Sequence, residues 1–376
     1  MSFLAPAWET LKAKRPEFEQ AEQVWNDVLA PELGRREEAR KSTIKAAIKR
    51  TVLAFAGTLL AAIIVNILLG GFFIVALFIG IAGAAVASAL KWIPVFSMKT
   101  QTKELVLGSA AQSFGFTYET LHPDLTGITD LNSLKSFSKD WMAKQAEKSK
   151  KASLRVGGMK VWSSDDGDLA GMTPPSPAFK TLREARLLPS YDNCKFEDLI
   201  KGTRAGADFS LVECKLSEEQ GSGNSRSTVT KFQGLLLNID YPEPFYGRTM
   251  LARSRWWKRG RESSDLKKVQ LVSIELDKAF TVYSTDQVEA RTLLTPDRME
   301  RLIRLERHFH GGKLRGIFED GHMTLALEAD DQFEAGSIFK PLVDPARYVT
   351  ALEEMGMICD LIDGFLTREW RGDPKS

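Results

Sequence analysis

The sequence is short of the residues that build disulfide frameworks and metal centres. Its three cysteines, Cys194, Cys214 and Cys359, are widely spaced and form no CxxC pair, which argues against a disulfide-built secreted fold and fits a reducing compartment. Of the four histidines, His308 and His310 lie two apart near a predicted helix end and would point to different sides, so no metal site is expected there. HExxH, a phosphate-binding glycine loop and a GxSxG elbow are all missing. Asp165, Asp166 and Asp168 lack the spacing of a calcium loop. The SxxK string at Ser136 and Lys139 has no supporting motif near it. No catalytic residue, cofactor or metal is nominated, and a net charge of +2 is too mild to point to nucleic acid.

The most informative deficit is of charge. Between Arg50 and Lys91 there are 40 residues without Asp, Glu, Lys, Arg or His, in a chain that is 27% charged overall. The run divides into Thr51–Leu69, the pair Gly70-Gly71, and Phe72–Leu90, two arms of 19 residues each. Each arm as a helix spans about 30 Å, the thickness of a bilayer's hydrocarbon core, whereas a single helix over the whole run would be about twice too long. Gly70 and Gly71 supply the free backbone that a tight reversal needs. The spacing therefore predicts a two-helix transmembrane hairpin, with the lipid bilayer as partner. Ala54, Gly57 and Ala61 on one arm and Gly80, Ala84 and Ser88 on the other are expected to line the seam between the helices. Arg35, Arg36, Arg40, Lys41, Lys45, Lys49 and Arg50 precede the run, Lys91, Lys99 and Lys103 follow it, and the turn is uncharged. This asymmetry places both termini in the cytoplasm of a bacterial inner membrane. A re-entrant hairpin and a buried soluble hairpin remain the alternatives.

Residues 1–50 read as an amphipathic, basic helical arm. Leu4, Leu11, Phe18 and Trp25 recur every seven residues, with Ala21, Val28 and Leu29 on the same side and Pro16 at a break or helix start. That face is expected to pack on the rest of the chain, with a protein partner or self-association as the alternative. The charged stretch from Glu32 to Arg50 is expected to run unbroken into the first membrane arm.

Residues 91–376 alternate short strand-like runs with helices. Strands are expected at 116–119, 208–215, 229–240, 249–253, 269–274, 280–284, 314–318 and 322–327. Asp286 with Glu289 has capping-box spacing, Thr295-Pro296 offers an N-cap followed by proline, and Asp344-Pro345 opens a helix whose Tyr348, Leu352, Met355, Cys359, Ile362 and Leu366 share one face. Strands this closely linked favour antiparallel pairing, so the class is α+β: a helical amino-terminal arm and hairpin followed by an antiparallel sheet with packed helices. Ser136–Lys151 and Gly171–Pro177 read as flexible segments, and Gln220–Ser227 as a hairpin loop. Arg253, Arg255, Trp256, Trp257, Lys258, Arg259 and Arg261 form a basic loop with two adjacent indoles and no acid. Such a loop either contacts anionic lipid or packs its tryptophans on the domain.

The hairpin after a basic arm, then Phe232-Gln-Gly-Leu-Leu, Phe245-Tyr-Gly-Arg-Thr and, most specific, the run from Phe280 through Asp286, Glu289 and Arg291 to Pro296, resemble the bacterial family catalogued as domain of unknown function 3137. The resemblance implies no activity, cofactor or catalytic residue. The expected function is thus a membrane-anchored interaction or scaffold protein. A membrane-tethered enzyme using Asp286, Glu289 and Arg291, or an anionic-lipid sensor, are the other readings.

Overall fold

The computed structural model describes residues 8–69, 73–121, 154–156, 159–162, 174–221, 227–241, 246–253, 265–309, 312–330, 333–334, 337 and 339–366. The chain starts with a short helix α1 (Trp8–Lys12) and a 3-10 turn (Pro16–Phe18) that places Pro16 at its first position, where its missing N–H costs nothing. Helix α2 (Ala21–Val24) passes through a π turn (Trp25–Leu29) into α3 (Ala30–Leu69). Leu11, Phe18, Ala21, Trp25, Leu29 and Leu33 are buried in the chain's own core. Val28, expected on that face, is exposed, because the π turn advances the helix by an extra residue and rotates its face away.

Helix α4 (Phe73–Gln112) lies antiparallel to α3. Trp92 Nε1 donates to Thr51 Oγ1 at 3.3 Å, and Arg36 Nη1 donates to the Gln101 carbonyl at 3.1 Å. The seam is built from small residues: Gly80, Ala84 and Ser88 of α4 lie in it as expected, but α3 contributes Thr58 and Ala62. A Cβ on Gly80 would meet the Thr58 side chain at 3.1 Å, Ala62 and Ala84 are buried, whereas Gly57 and Ala61 face outward. The pair Gly70 and Gly71 lies outside the described residues. Neither helix breaks where the charged sequence resumes, so both continue into the domain. Leu33 and Ala47 of α3, and Val106, Leu107, Ala110 and Ala111 of α4, are buried there.

After α4 come β1 (Thr117–Thr120), a small β2–β3 ribbon (Leu154–Val156, Met159–Trp162) and α5 (Pro177–Glu184). The segment expected to be flexible at Gly171–Pro177 ends as a helix start, with the Ser176 hydroxyl accepting from Ala178 N and Pro177 at the first position. Strands β4 (Asn193–Arg204), β5 (Ala207–Gln220), β6 (Ser227–Asp240), β7 (Thr249–Arg253) and β8 (Lys267–Val269) follow. The expected strand over 269–274 is corrected. Only Val269 of it lies in a strand, the chain leaves the sheet over 270–273, and α6 (Ile274–Ala279) begins at its last residue, where Ser273 caps Leu276 N and Glu275 and Asp277 favour the positive helix start. The chain closes with β9 (Phe280–Ser284), α7 (Gln287–Leu293), α8 (Pro296–His308), the hairpin β10 (Gly312–Glu319) and β11 (His322–Glu328), and α9 (Pro345–Leu366).

Among the described residues, nine strands form one antiparallel sheet in the order β1-β4-β5-β6-β11-β10-β7-β9-β8. One face carries the larger core, shared with the arm, the domain ends of α3 and α4, α8 and α9. The other is covered by α5, through Ala178, Phe179 and Leu182. The fold is α+β, and its amino-terminal helical run, Pro16–Leu68, is long and apolar enough to cross a membrane.

Candidate functional site at the helix-sheet junction

Where α4 leaves the domain it carries a buried ion cluster. Lys103, 2% exposed, donates from Nζ to Asp198 Oδ2 of β4 at 2.6 Å, and Asp198 is itself 1% exposed. The Tyr118 hydroxyl of β1 donates to the second oxygen, Oδ1, at 2.7 Å. A third tie comes from the β11–α9 connection, where Glu334 accepts from Lys103 at 3.2 Å and from Lys99 at 2.8 Å. Burial alone would push the Lys103 ammonium toward neutrality, but Asp198 and Glu334 outweigh it and raise its pKa. Burial likewise favours the neutral carboxyl of Glu334, and Lys99 and Lys103 reverse that, holding it below the usual carboxylate range. Lys103 and Glu334 are therefore charged at neutral pH, and the cluster fixes α4 to the sheet. Beside it, Glu354 of α9 is pushed up to about 7, by burial first and despite nearby Lys103.

Higher on the same helices, Glu37 of α3 accepts from Leu342 N at 3.0 Å and is paired with Arg40, which with other contacts depresses its pKa to about 2. The arm is fastened separately. Arg15 donates to Asp360 at 2.5 Å and to the Gly356 carbonyl at 2.8 Å, and Arg204 forks onto Asp363 while also holding Glu17. These contacts border an open cleft of about 610 Å³ between the arm and α9, lined also by Lys14, His308 and Glu353. Both arginines there are neutralised by carboxylates of α9 and the arm, so the cleft's charge is used to join these elements.

The residues singled out from sequence fall into place differently. Asp286 is the N-cap of α7, accepting from Val288 N at 2.8 Å and Glu289 N at 3.0 Å. Glu289 does not close a reciprocal capping box. Its carboxylate instead accepts from Tyr246 N and Gly247 N, tying down the strand entry before β7. Arg291 is exposed and reaches the Gln270 carbonyl at 3.3 Å, Pro296 opens α8, and Phe280 is buried. Arg253 turns inward, paired with Glu306 and lying 4.4 Å from the Phe280 ring centre. Arg255, Trp256, Trp257, Lys258, Arg259 and Arg261 lie outside the described residues, as do Ser136–Lys151. Cys359 is a core thiol, with burial pushing its pKa up to about 12. Among the described residues no group of His, Cys, Asp and Glu could hold a metal ion.

Sequence reasoning missed the buried charges. Arg315 of β10 is fully buried, donating to the carbonyls of Leu187 and Lys313 and to Glu328, and burial lowers its pKa to about 10. Its place in a strand of otherwise ordinary alternation gave no sign of burial. Lys103 looked like one more flanking cation.

No curated protein matches this chain. A crystal structure of the mycobacterial trehalose monomycolate transport factor A, TtfA, is similar at 11% identity with a TM-score of 0.25, over 50% of this chain and 96% of that one. Residues 230–366, which hold the Phe232, Phe245 and Phe280–Pro296 motifs, match the family model described as Protein of unknown function (DUF3137).

Proposed function

We propose that the protein is a membrane-anchored interaction platform whose α3 and α4 cross a bacterial inner membrane out and back, leaving the arm and the α+β domain together in the cytoplasm. One observation carries the reading: the apolar side chains of these helices face outward. Among the described residues, fourteen large hydrophobic side chains between Val52 and Ile81 are exposed, and only 6% of the most apolar 18-residue stretch of the first helix is buried. A buried core helix would show the opposite. At roughly 1 kcal/mol for each half-exposed side chain, moving them into lipid is worth about 14 kcal/mol, similar to the whole stability of a typical domain. The basic flanks before Thr51 and after Leu90 favour the cytoplasmic side for both ends.

The junction supports the platform part of this reading. Lys103, Glu334, Glu37 and the buried arm tie the membrane helices to the sheet at several levels, so the domain is held at a fixed attitude to the helices. The structural use of Asp286 and Glu289, as a cap and a loop tie, favours a platform over a tethered enzyme. Alkaline carbonate extraction of membranes tests the anchor, and reporter fusions after residue 100 and at the carboxy terminus test the orientation. Retention in the pellet with cytoplasmic reporters is expected; release by carbonate, or a periplasmic signal at either position, overturns the proposal.

A further inference from the structure

We infer that the β11–α9 connection makes a third membrane contact, with Phe339 seated in the interface of the leaflet on the domain side and Lys340 beside it meeting anionic phospholipid headgroups. The inference rests on the membrane reading above and adds a surface to it.

Its height along the helices is fixed by contacts. The Phe339 ring lies 6.0 Å from that of Trp92, and Trp92 in turn donates to Thr51. Thr51 opens the uncharged run and Trp92 lies two residues past its end, where the paired helices would enter and leave the hydrocarbon. Phe339 therefore sits at the level where aromatic side chains gather in membrane proteins, with an apolar ring toward the acyl chains and polar neighbours toward water. It is 64% exposed, an unfavourable position for phenylalanine in water. Phe96, one turn from Trp92 on the same side of α4, is 54% exposed.

The connection is held in that position from below. Glu334 is anchored to Lys99 and Lys103, about 10 to 16 Å along α4 from Trp92. On the return side, Leu342 N donates to Glu37 and Arg347 Nη2 donates to the Ser337 carbonyl at 3.1 Å. With both sides fastened, the exposed ring between them is presented rather than left to collapse onto the domain. Lys45, Lys49, Arg50 and Lys340 are exposed near this level, each cation contributing about 1 kcal/mol at an anionic surface. An interfacial seat accounts for aromatic and cations together, which a purely apolar partner would not.

The test uses the full-length protein in vesicles of phosphatidylethanolamine and phosphatidylglycerol, with the partly exposed Cys194 replaced by serine. Single spin labels are placed through Phe339→Cys, Leu60→Cys on α3 and Val288→Cys on α7, and their accessibility to oxygen and to a water-soluble nickel complex is compared. The expected order of lipid depth is 60, then 339, then 288. A label at 339 as accessible to nickel as the one at 288, with 60 in lipid, overturns this inference and leaves the anchor standing. Shielding at 339 from both reagents also overturns it, since protein rather than lipid would then cover the ring. An aqueous reading at 60 overturns the anchor itself and this inference with it.

Discussion

Replacing Lys103 with methionine keeps most of the apolar stem and removes the charge, so the perturbation falls on Asp198. That carboxylate would retain the Tyr118 hydroxyl at 2.7 Å but lose the ammonium at 2.6 Å, at a position 1% exposed. Stranding one member of a buried pair typically costs about 3–5 kcal/mol. A ceiling follows from chemistry, because a stranded carboxylate can take up a proton instead; for an ordinary aspartate at pH 7 that costs about 4 kcal/mol, and at pH 5 only about 1.5 kcal/mol. The loss is therefore expected to be about 3–4 kcal/mol at pH 7 and to shrink by more than half at pH 5. At about 2–4 °C per kcal/mol, the thermal midpoint of the detergent-solubilised full chain falls by roughly 10 °C at pH 7. The double variant Lys103→Met, Asp198→Asn removes the stranded charge and recovers much of the loss. An unchanged midpoint for Lys103→Met at both pH values would refute the reasoning, and so would an equal loss at both, since that would place the cost in packing and not in charge.

Two further perturbations test other parts of the fold. Glu354, with its pKa raised to about 7 from an ordinary 4.5, binds more protons folded than unfolded between those values, so its contribution to stability is largest below about 4.5 and declines as pH rises toward 7. Discounted for its partial exposure, the loss is about 2 kcal/mol, and Glu354→Gln should flatten that part of a stability-versus-pH curve measured against the parent protein. Gly234 has φ of +151°, and a Cβ there would meet the Leu327 carbonyl oxygen at 2.0 Å and Ala329 N at 2.8 Å. Gly234→Ala is expected to cost about 3 kcal/mol or more by breaking the β6–β11 register, seen as lost soluble expression or an early unfolding transition; a parent-like midpoint would count against the described register.

Local chemistry made the later half of the chain readable. Asp286, Thr295-Pro296 and Asp344-Pro345 each mark a helix start with side-chain and backbone features that act within a few residues, and α7, α8 and α9 begin there. Strands β7 and β9 likewise match their expected bounds. Strand β4 escaped notice because a bulge between Phe196 and Leu199 breaks the two-residue period, leaving Asp198, Leu199 and Ile200 buried in succession. The segment at 269–274 looked strand-like from its Val, Leu and Ile, but Ser273 and two acids turned its end into a helix. The junction was beyond reach for a different reason. Lys103 and Asp198 are 95 residues apart, and Lys103 and Glu334 are 231 apart, so nothing in the periodicity of either segment signals that they meet.

The arm joins both long helices to the sheet through one shared core. Had residues 8–29 projected freely, their heptad-spaced Leu11, Phe18 and Trp25 would be available to another chain; instead they lie in the core that α9 and the domain end of α4 share, with Trp25 stacked against Tyr348 and Phe18 edge-on to Phe114. Tyr348 also shares a hydrogen bond with Ser113 at the end of α4. The segment leading into α3 is thus packed against the same helix end that leads out of α4. The domain ends of α3 and α4 are joined through a common core rather than through a linker.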